Sequence, residues 1–251
     1  MAGFTLHGDL RRQCLAIYSR VMLKLSGEAF RGDDGQNLDS AAVQHIANEV
    51  RDVAAAGVEL AIVIGGGNFI RGANMAKMGV ERGTADYMGM LATLINGMAL
   101  QAVVESMGYP TRVLSAIDAR QVVEPYIRRR AIRHMEKGRV VILAGGTGNP
   151  YFTTDTAAAL RATELGCNIF LKATKVDGIY NCDPLKDEKA QRYPRLTYTQ
   201  ALRDNLRIID ATAFALCREN KMPIVVYSYR VAGNTLRAIK GEAVGTVVEG
   251  D

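Results

Sequence analysis

The stretch VMLKLSG, residues 21–27, decides the fold of this 251-residue chain. Its apolar residues form a short run in which Lys24 is the one polar interruption before the closing serine and glycine. A continuous apolar run is typical of a strand buried on both faces, as in a parallel sheet that helices cover on both sides. The stretch therefore predicts an inner parallel strand that ends in a tight loop.

Similar apolar runs recur along the chain, at residues 60–64, 112–114, 140–143, 169–171 and 224–227. Helical patterns lie between them. Their predicted N-caps are Asp39, Thr84, Thr154 and Asp210, and their predicted ends are Gly57, Gly108, Gly166 and Asn220. This alternation predicts an α/β fold, a three-layer αβα sandwich with a mainly parallel central sheet. We expect a single domain over residues 18–251 and a flexible extension over residues 1–17.

Composition excludes several classes of protein. Lys and Arg (31) only slightly outnumber Asp and Glu (26), and a net charge of +5 does not indicate nucleic-acid binding. The four cysteines form no CxxC pair, the three histidines lack metal-ligand spacing, and no apolar run approaches the roughly 18 residues of a membrane span. With no recognisable signal peptide, these features predict a soluble cytoplasmic protein with reduced thiols.

Three glycine clusters follow predicted strands: Ser26-Gly27, then GGGN at 65–68, then GGTGNP at 145–150. In open parallel sheets, ligands bind beyond the carboxyl ends of the strands, where glycines let backbone N–H groups approach phosphate oxygens. One such cluster is often only a tight turn, but three at one sheet edge predict a phosphate site. Neither GxGxxG after the first strand nor GxxxxGK[ST] occurs, which disfavours Rossmann and P-loop proteins.

Lys24 indicates the chemistry of this edge. A lysine in an apolar strand is costly unless it meets an anion, so a phosphate partner is favoured over a side chain that extends to solvent from a sheet edge. Phosphoryl transfer needs such a cation because negative charge spreads over the transferring oxygens. Arg71, which follows the second glycine cluster, is either another phosphate ligand or a cover for a helix end.

Two aspartates each have two interpretations. Asp86 either accepts a hydrogen bond from a sugar hydroxyl or compensates a helix dipole. Asp155 either compensates a dipole or orients Lys24 or a magnesium ion. The metal ligand stays open among Asp155, Asp177 and Asp210, and Asp210 is most simply an N-cap.

These motifs resemble a known family. KLSG at 24–27, IGGGN at 64–68 and KATKVDGIY at 172–180, continuing to Asp183 and Pro184, resemble the amino-acid kinase superfamily. DYMGMLAT at 86–93 and the run 146–155 resemble its uridylate kinase branch in particular. The resemblance covers about residues 20–248, and it leaves residues 1–17 outside.

The resemblance implies direct transfer of phosphate from ATP, with Mg²⁺, to UMP, without a covalent intermediate. It implies an acceptor-binding N-terminal part, an ATP-binding C-terminal part, and catalytic roles for Lys24 and Asp155. The implied ATP ligands are Lys24, Leu25, Ser26, Gly27, Gly67, Arg71, Thr174, Tyr180 and Asp183. The implied UMP ligands are Gly66, Asp86, Thr147, Gly148, Asn149, Pro150, Tyr151, Phe152, Thr153 and Thr154.

The resemblance also implies a homohexamer that GTP activates and UTP inhibits. The implied GTP-linked positions are Gly32, Asp33, Asp34, Gly35, Gln36, Asn37, Arg112 and Arg139. The chain departs from the family at Glu105, where some members carry a basic residue or histidine, and in the run RRR at 128–130, which is most simply a solvated helix face.

Two alternatives stay open. The first is a sibling kinase that phosphorylates a carboxylate such as acetylglutamate, and the second is a nucleotide-sensing regulator without catalysis. A carboxylate acceptor has no ribose for Asp86 and the loop 147–154 to bind, and an intact Lys24 and Asp155 argue against sensing alone.

Overall fold

A computed structural model of the protein describes residues 16–71, 75, 77–182, 184, 187, 189–206 and 209–250. In this part of the chain, strands and helices alternate around one nine-stranded sheet. The predicted three-layer α/β sandwich is confirmed. The predicted extension 1–17 falls outside the described residues except for Ala16 and Ile17, and the backbone N–H of Ile17 donates to the Ile239 carbonyl at 3.2 Å.

The central sheet has the order β4-β3-β5-β2-β1-β6-β10-β11-β9. Its strands are β1 Arg20–Leu25, β2 Glu59–Ile64, β3 Thr111–Ser115, β4 Glu124–Pro125, β5 Val140–Ala144, β6 Ile169–Thr174, β9 Arg195–Leu196, β10 Ile224–Ser228 and β11 Gly245–Val248. The pairs described are parallel except β10 with β11. A separate antiparallel pair joins β7 Ile179–Tyr180 to β8 Arg192–Tyr193.

Strand β1 is the centre of the sheet because β2 pairs with one side of it and β6 with the other. Side chains alternate along β1, so Val21, Leu23 and Leu25 face one core while Met22 faces the other. Lys24 belongs to the Met22 face and stands in register with Lys172 of β6. Two lysines are therefore neighbours across the middle of the sheet.

Helices cover both faces of the sheet. They are α1 Ser40–Ala55, α2 Arg82–Ser106, α3 Arg128–Glu136, α4 Thr154–Leu165, α5 Tyr198–Arg203, α6 Ala211–Glu219 and α7 Asn234–Ile239. Helices α1, α2 and α7 contribute to the core on one face, and α3, α4, α5 and α6 to the core on the other. The apolar spacing of α1 is typical: Val43, Ile46, Val50 and Val53 are all buried.

The predicted helix ends are partly right. Asp39 caps α1 by accepting from the Ala42 N–H at 2.8 Å, Asp210 caps α6, and Gly166 closes α4 in the left-handed conformation. Thr84 is wrong as a cap, because α2 begins two residues earlier and Glu81 caps it. Thr154 is also wrong, because Thr153 accepts from the N–H groups of Asp155 and Thr156.

The sequence patterns did not predict the short strands β4, β7, β8, β9 and β11. Four of them have two residues each, too few for any periodicity to register. Helix α2 meets the length and hydropathy expected of a membrane span, contrary to the expectation that no segment would. However, 44% of its most apolar window is buried against the rest of the chain.

Candidate active site

A buried charge triad lies at the carboxyl ends of β1 and β6. Asp155, in the first turn of α4, places Oδ1 2.8 Å from Nζ of Lys24 and Oδ2 2.7 Å from Nζ of Lys172. The three side chains are only 12%, 12% and 16% exposed for Asp155, Lys24 and Lys172. Because one carboxylate serves two ammonium groups, the triad keeps a surplus positive charge aimed at this edge of the sheet.

The protonation of the triad follows from its surroundings. Burial alone would raise the pKa of Asp155, but the ammonium groups of Lys24 and Lys172 outweigh it and hold that pKa below its usual value. Burial lowers the pKa of Lys172, the charge of Lys24 lowers it further, and Asp155 opposes the shift. Asp155 is therefore held as an anion between the two lysine side chains.

Beside the triad, the first two glycine loops are in backbone contact. A Cβ on Gly27 would lie 2.5 Å from the backbone nitrogen of Gly67 and 2.8 Å from the Gly65 carbonyl oxygen. A Cβ on Gly66 would lie 2.4 Å from the carbonyl oxygen of Gly89 in α2, whereas one on Gly67 would meet nothing within 4 Å. Gly27 and Gly66 are thus needed for close packing, and Gly67 has open space in front of it.

A buried amide pair holds the second glycine loop. Asn68 and Asn96 each donate to the other's side-chain oxygen, at 2.9 and 2.8 Å. Asn96 also donates to the Gly65 carbonyl at 2.8 Å, and Asn68 to the Asn37 carbonyl at 2.6 Å. The pair therefore joins helix α2, the glycine loop and the segment 32–37.

One cavity lies between the glycine loops and the N-terminal part of α2. It has a volume of about 160 Å³, and of the predicted UMP ligands Gly66, Asp86, Thr147, Phe152 and Thr154 line it. Gly67, predicted to bind ATP, lines it as well. Sequence reasoning missed its other lining residues, Ile70, Ala85, Gly89, Met90, Thr93 and Gly146. Met90 and Thr93 lie within the motif DYMGMLAT at 86–93, so their position in this motif is the sequence signal that could have identified them.

The other predicted UMP ligands, Gly148, Asn149, Pro150, Tyr151 and Thr153, do not line this cavity. Tyr151 instead donates its backbone N–H to Asp86 at 2.8 Å. The Thr153 hydroxyl donates to Asp210 at 2.5 Å. These residues shape the loop around the cavity, and Gly145 is tied to α2 by an N–H that donates to the Thr93 hydroxyl at 2.7 Å.

A second cavity, of about 250 Å³, opens on the other side of the triad. The predicted ATP ligands Thr174 and Tyr180 line it, together with Lys172, Val176, Gly178, Ile179, Cys182, Pro184 and Val226. Asp183 lies outside the described residues. Sequence reasoning missed Lys172 as a charged site residue. Yet IFLK at 169–172 places a lysine in an apolar strand, just as VMLK at 21–24 does.

Arg71 and Ser26 are placed close to the first glycine loop. Arg71 forms an ion pair with Glu28 at 2.6 Å, and Lys175 approaches the same carboxylate at 3.6 Å. Burial would raise the pKa of Glu28, but Arg71 and Lys175 outweigh it and lower that pKa. Ser26 caps the 3-10 turn Gly27–Phe30 by accepting from the Glu28 N–H, and Leu25 is buried in the core.

The carboxylates here do not suit a Mg²⁺ site built from protein ligands. Both oxygens of Asp155 face lysines, and Asp210 accepts from the Thr153 and Thr156 hydroxyls and from two backbone N–H groups of α6. Asp177 accepts from Tyr180 and pairs with Arg192. Among the described residues, no group of three His, Cys, Asp or Glu side chains could hold a metal ion.

The positions linked to GTP by resemblance lie in two places. Arg112 pairs with Glu105 at 2.7 Å, and Arg139 contacts His134 at 3.0 Å, at the β3 side of the sheet. Gly32, Asp33, Asp34, Gly35, Gln36 and Asn37 form the segment before α1. The run 128–130 begins α3, and Arg128 and Arg129 are exposed there, as expected for a solvated helix face.

Comparisons with known proteins agree with this arrangement. Residues 19–228 match the amino acid kinase family. The chain is similar to the UMP kinase of Bacillus anthracis, with 38% identity and a TM-score of 0.91 over 93% of this chain and 97% of that one. It is similar to the UMP kinase of Ureaplasma parvum, with 35% identity and a TM-score of 0.89 over 92% of this chain and 99% of that one. It is also similar to the uridylate kinase of Archaeoglobus fulgidus, with 29% identity and a TM-score of 0.71 over 91% of this chain and 99% of that one.

Proposed function

Because the chain belongs to the amino acid kinase family, we propose that it transfers the γ-phosphate of ATP to UMP, giving ADP and UDP. One observation carries the proposal. Thr154 lines the cavity beside α2, its neighbour Asp155 lies 2.7 Å from Lys172, and Lys172 lines the cavity beside β7. The triad thus links two pockets, the acceptor pocket with Asp86 and the donor pocket with Thr174 and Tyr180.

The triad supplies charge rather than proton transfer. Lys24 and Lys172 stabilise the negative charge that spreads over the transferring phosphoryl oxygens, and Asp155 positions both ammonium groups. The attacking oxygen belongs to a phosphate that is already an anion, so no general base is needed. Open space in front of Gly67 leaves its backbone available to a phosphate. Catalysis then rests on positioning two anions beside fixed cations.

The acceptor pocket supports a nucleotide over a carboxylate. Asp86 presents a carboxylate beside the glycine loops, and a carboxylate accepts hydrogen bonds from sugar hydroxyls but repels a carboxylate acceptor. Mg²⁺, which kinases of this kind typically use, is proposed to arrive with the nucleotide, since the described carboxylates are engaged elsewhere. We assign it no protein ligand and no step.

A panel of acceptors tests the proposal. Purified protein is incubated with ATP and UMP, CMP or acetylglutamate, and ADP formation is followed. We expect turnover with UMP to exceed the other two by at least tenfold. Turnover of acetylglutamate alone would favour the carboxylate kinase, and binding of both nucleotides without turnover of any acceptor would favour the sensor.

We also propose that the protein forms a homo-oligomer, with a hexamer as the expectation, and that it works in the cytoplasm in pyrimidine nucleotide synthesis. The exposed stripe Tyr87, Leu91, Ile95 and Met98 on α2 supports self-association, since these side chains are 41–54% exposed on one helix face. Light scattering of Ile95→Glu, against Gln44→Glu on α1, tests it. The charged variant is expected to have the lower mass, and an unchanged mass would contradict the assignment of this face.

GTP activation and UTP inhibition complete the proposal. The hydrogen bond from Asn68 to the Asn37 carbonyl supports a connection between the segment 32–37 and the glycine loop. Titration of the initial rate with GTP and with UTP tests each effect. An unchanged rate at saturating effector would remove that effector from the proposal.

A further inference from the structure

The β7–β8 hairpin forms one wall of the proposed donor pocket. Ile179 and Tyr180 of β7 line the cavity, together with Gly178 just before the strand. The two strands pair Ile179 with Tyr193 and Tyr180 with Arg192, and each strand has only two residues. Such a short two-stranded pair is at best marginally stable by itself. Contacts with the rest of the chain must therefore hold this wall in place.

Thr246 of β11 supplies two of these contacts with one side chain. Its hydroxyl oxygen accepts from the backbone N–H of Ile179 at 2.9 Å, and its hydroxyl proton is donated to the carbonyl of Tyr193 at 2.5 Å. A hydroxyl can donate and accept at the same time. Ile179 and Tyr193 are register partners across the hairpin. The hydroxyl of Thr246 therefore ties both strands to β11 at the same point.

The hydroxyl of Thr246 lies in a closely packed place. Thr246 is fully buried, and Ile179 is buried beside it. A Cβ on Gly178 would lie 2.6 Å from the hydroxyl oxygen, so the absence of a side chain lets the backbone before β7 run directly against Thr246. Because this place is closed to solvent, water does not readily replace the hydroxyl if it is removed.

The central sheet sets the position of Thr246. Thr246 stands in register with Val226 of β10, and Val226 lines the same donor cavity. Gly245 makes this pairing possible, because a Cβ there would overlap the carbonyl oxygen of Val226. Thr246 is not itself among the residues that line the cavity. Its influence on the pocket must therefore pass through the hairpin.

We propose that Thr246 is a positioning residue for ATP. The inference rests on the proposed function, which makes ATP the ligand of the donor pocket. The hydroxyl fixes the hairpin to the central sheet, so that Ile179 and Tyr180 keep their places opposite Lys172, which lines the same cavity from β6. Without the hydroxyl, the hairpin shifts relative to β6 and the donor binds less tightly. The acceptor pocket lies on the other side of β1 and keeps its shape.

Initial rates with ATP and UMP varied in turn test the inference. Thr246→Val keeps the shape of the side chain and removes the hydroxyl, so KM for ATP should rise about tenfold because two backbone groups lose a partner. KM for UMP and kcat should change less than twofold. Thr246→Ser keeps the hydroxyl and should restore KM for ATP to within threefold of wild type. Thr111→Val is the matched control: this threonine is also fully buried, its hydroxyl donates to the Tyr109 carbonyl at 3.0 Å, and it lies at the amino end of β3. KM for ATP should be unchanged in this control.

Amide hydrogen exchange adds a readout that needs no turnover. The Ile179 N–H should exchange faster in Thr246→Val than in wild type or Thr111→Val, and an unchanged rate would overturn the inference. An unchanged KM for ATP in a folded Thr246→Val would also overturn it, as would equal rises in KM for ATP and UMP, which indicate a general structural role. A wild-type protein that does not use ATP would instead overturn the proposed function, and the exchange rates would still show whether Thr246 fixes the hairpin.

Discussion

The backbone N–H of Tyr151 donates to the carboxylate of Asp86 at 2.8 Å, although 65 positions separate the two residues. Tyr151 has a φ of 71°, a left-handed conformation that costs a non-glycine residue about 1–2 kcal/mol. The Asp86 carboxylate on α2, which accepts this hydrogen bond, thus holds the strained turn that follows the third glycine loop. Asp86 has two tasks in the proposed kinase: it shapes the acceptor loop and it faces the acceptor.

Removing this carboxylate should damage acceptor use selectively. A hydrogen bond to a charged group contributes about 1.5–3 kcal/mol, so we expect Asp86→Ala to lower kcat/KM for UMP about 10- to 100-fold. KM for ATP should change less than twofold. Asp86→Asn, which keeps an acceptor for Tyr151, should fall between wild type and Asp86→Ala. A comparable rise in KM for ATP would show that Asp86 serves the whole site rather than the acceptor side.

The triad should behave as one unit. Loss of one preorganised electrostatic group costs about 100- to 1,000-fold in kcat, which is the effect expected for Lys24→Ala. Asp155→Asn should lower kcat comparably, because both lysines lose their anchor. The double variant should then be little worse than either single one. Effects that simply multiply in this double-mutant cycle, measured by initial rates, would contradict a shared role.

The same triad makes stability depend on pH. The pKa of Asp155 is lowered in the folded protein, so its contribution is fully present above its unfolded pKa of about 3.8 and is lost as pH falls through the folded value. Wild type should therefore lose unfolding free energy more steeply than Asp155→Asn between about pH 5 and pH 3. Urea unfolding across this range measures both slopes, with Asp52→Asn as an exposed control. Equal slopes for wild type and Asp155→Asn would refute the linkage.

The buried asparagine pair should position the glycine loop. Asn96→Leu leaves the Gly65 carbonyl oxygen and the Asn68 side-chain oxygen without the donor they share, at about 1–3 kcal/mol for each buried group. We expect lower stability and a higher KM for ATP, because the loop at 65–67 loses its support. Gln44→Ala on the exposed surface of α1 should change neither. A destabilised variant with an unaltered KM for ATP would reduce the pair to a purely structural element.

The contact between the first two glycine loops gives a matched comparison. Gly27→Ala forces a methyl group to within 2.5 Å of the Gly67 nitrogen and 2.7 Å of the Asn68 oxygen, so the loops must separate. Gly67→Ala meets nothing within 4 Å. Thermal unfolding should show a lower Tm for Gly27→Ala by several degrees and little change for Gly67→Ala. Similar Tm values for the two variants would mean that the loops are not packed as described.

The sequence predicts much of this arrangement because the strands of the sheet are short apolar runs and their loops contain glycine. All six predicted strands are present, and Asp39 and Asp210 cap helices as expected. The cap at Thr84 failed for a physical reason: Glu81 also supplies a side-chain oxygen to an N–H group, and α2 continues through Gly83. Residue type alone does not choose between two acceptors three positions apart.

The site is less predictable, because pairings across the sheet have no signature along the chain. Lys24 and Lys172 become neighbours only through the register of β1 with β6, and Asp155 reaches both from α4. The asparagine pair is similar, since 28 positions separate its members. The roles of the individual ligands inherited from the resemblance stay predictions.

The position of β1 in the sheet has a consequence for how this fold can diversify. The proposed acceptor pocket draws on loops after β2 and β5, on one side of β1, and the proposed donor pocket on segments after β6, on the other. Residues after β5 can therefore change the acceptor chemistry while the segments after β6 that line the proposed donor pocket stay unchanged. Strand β1, which carries Lys24, lies between these two sets of segments, so substitutions in one set can leave the strands of the other in place.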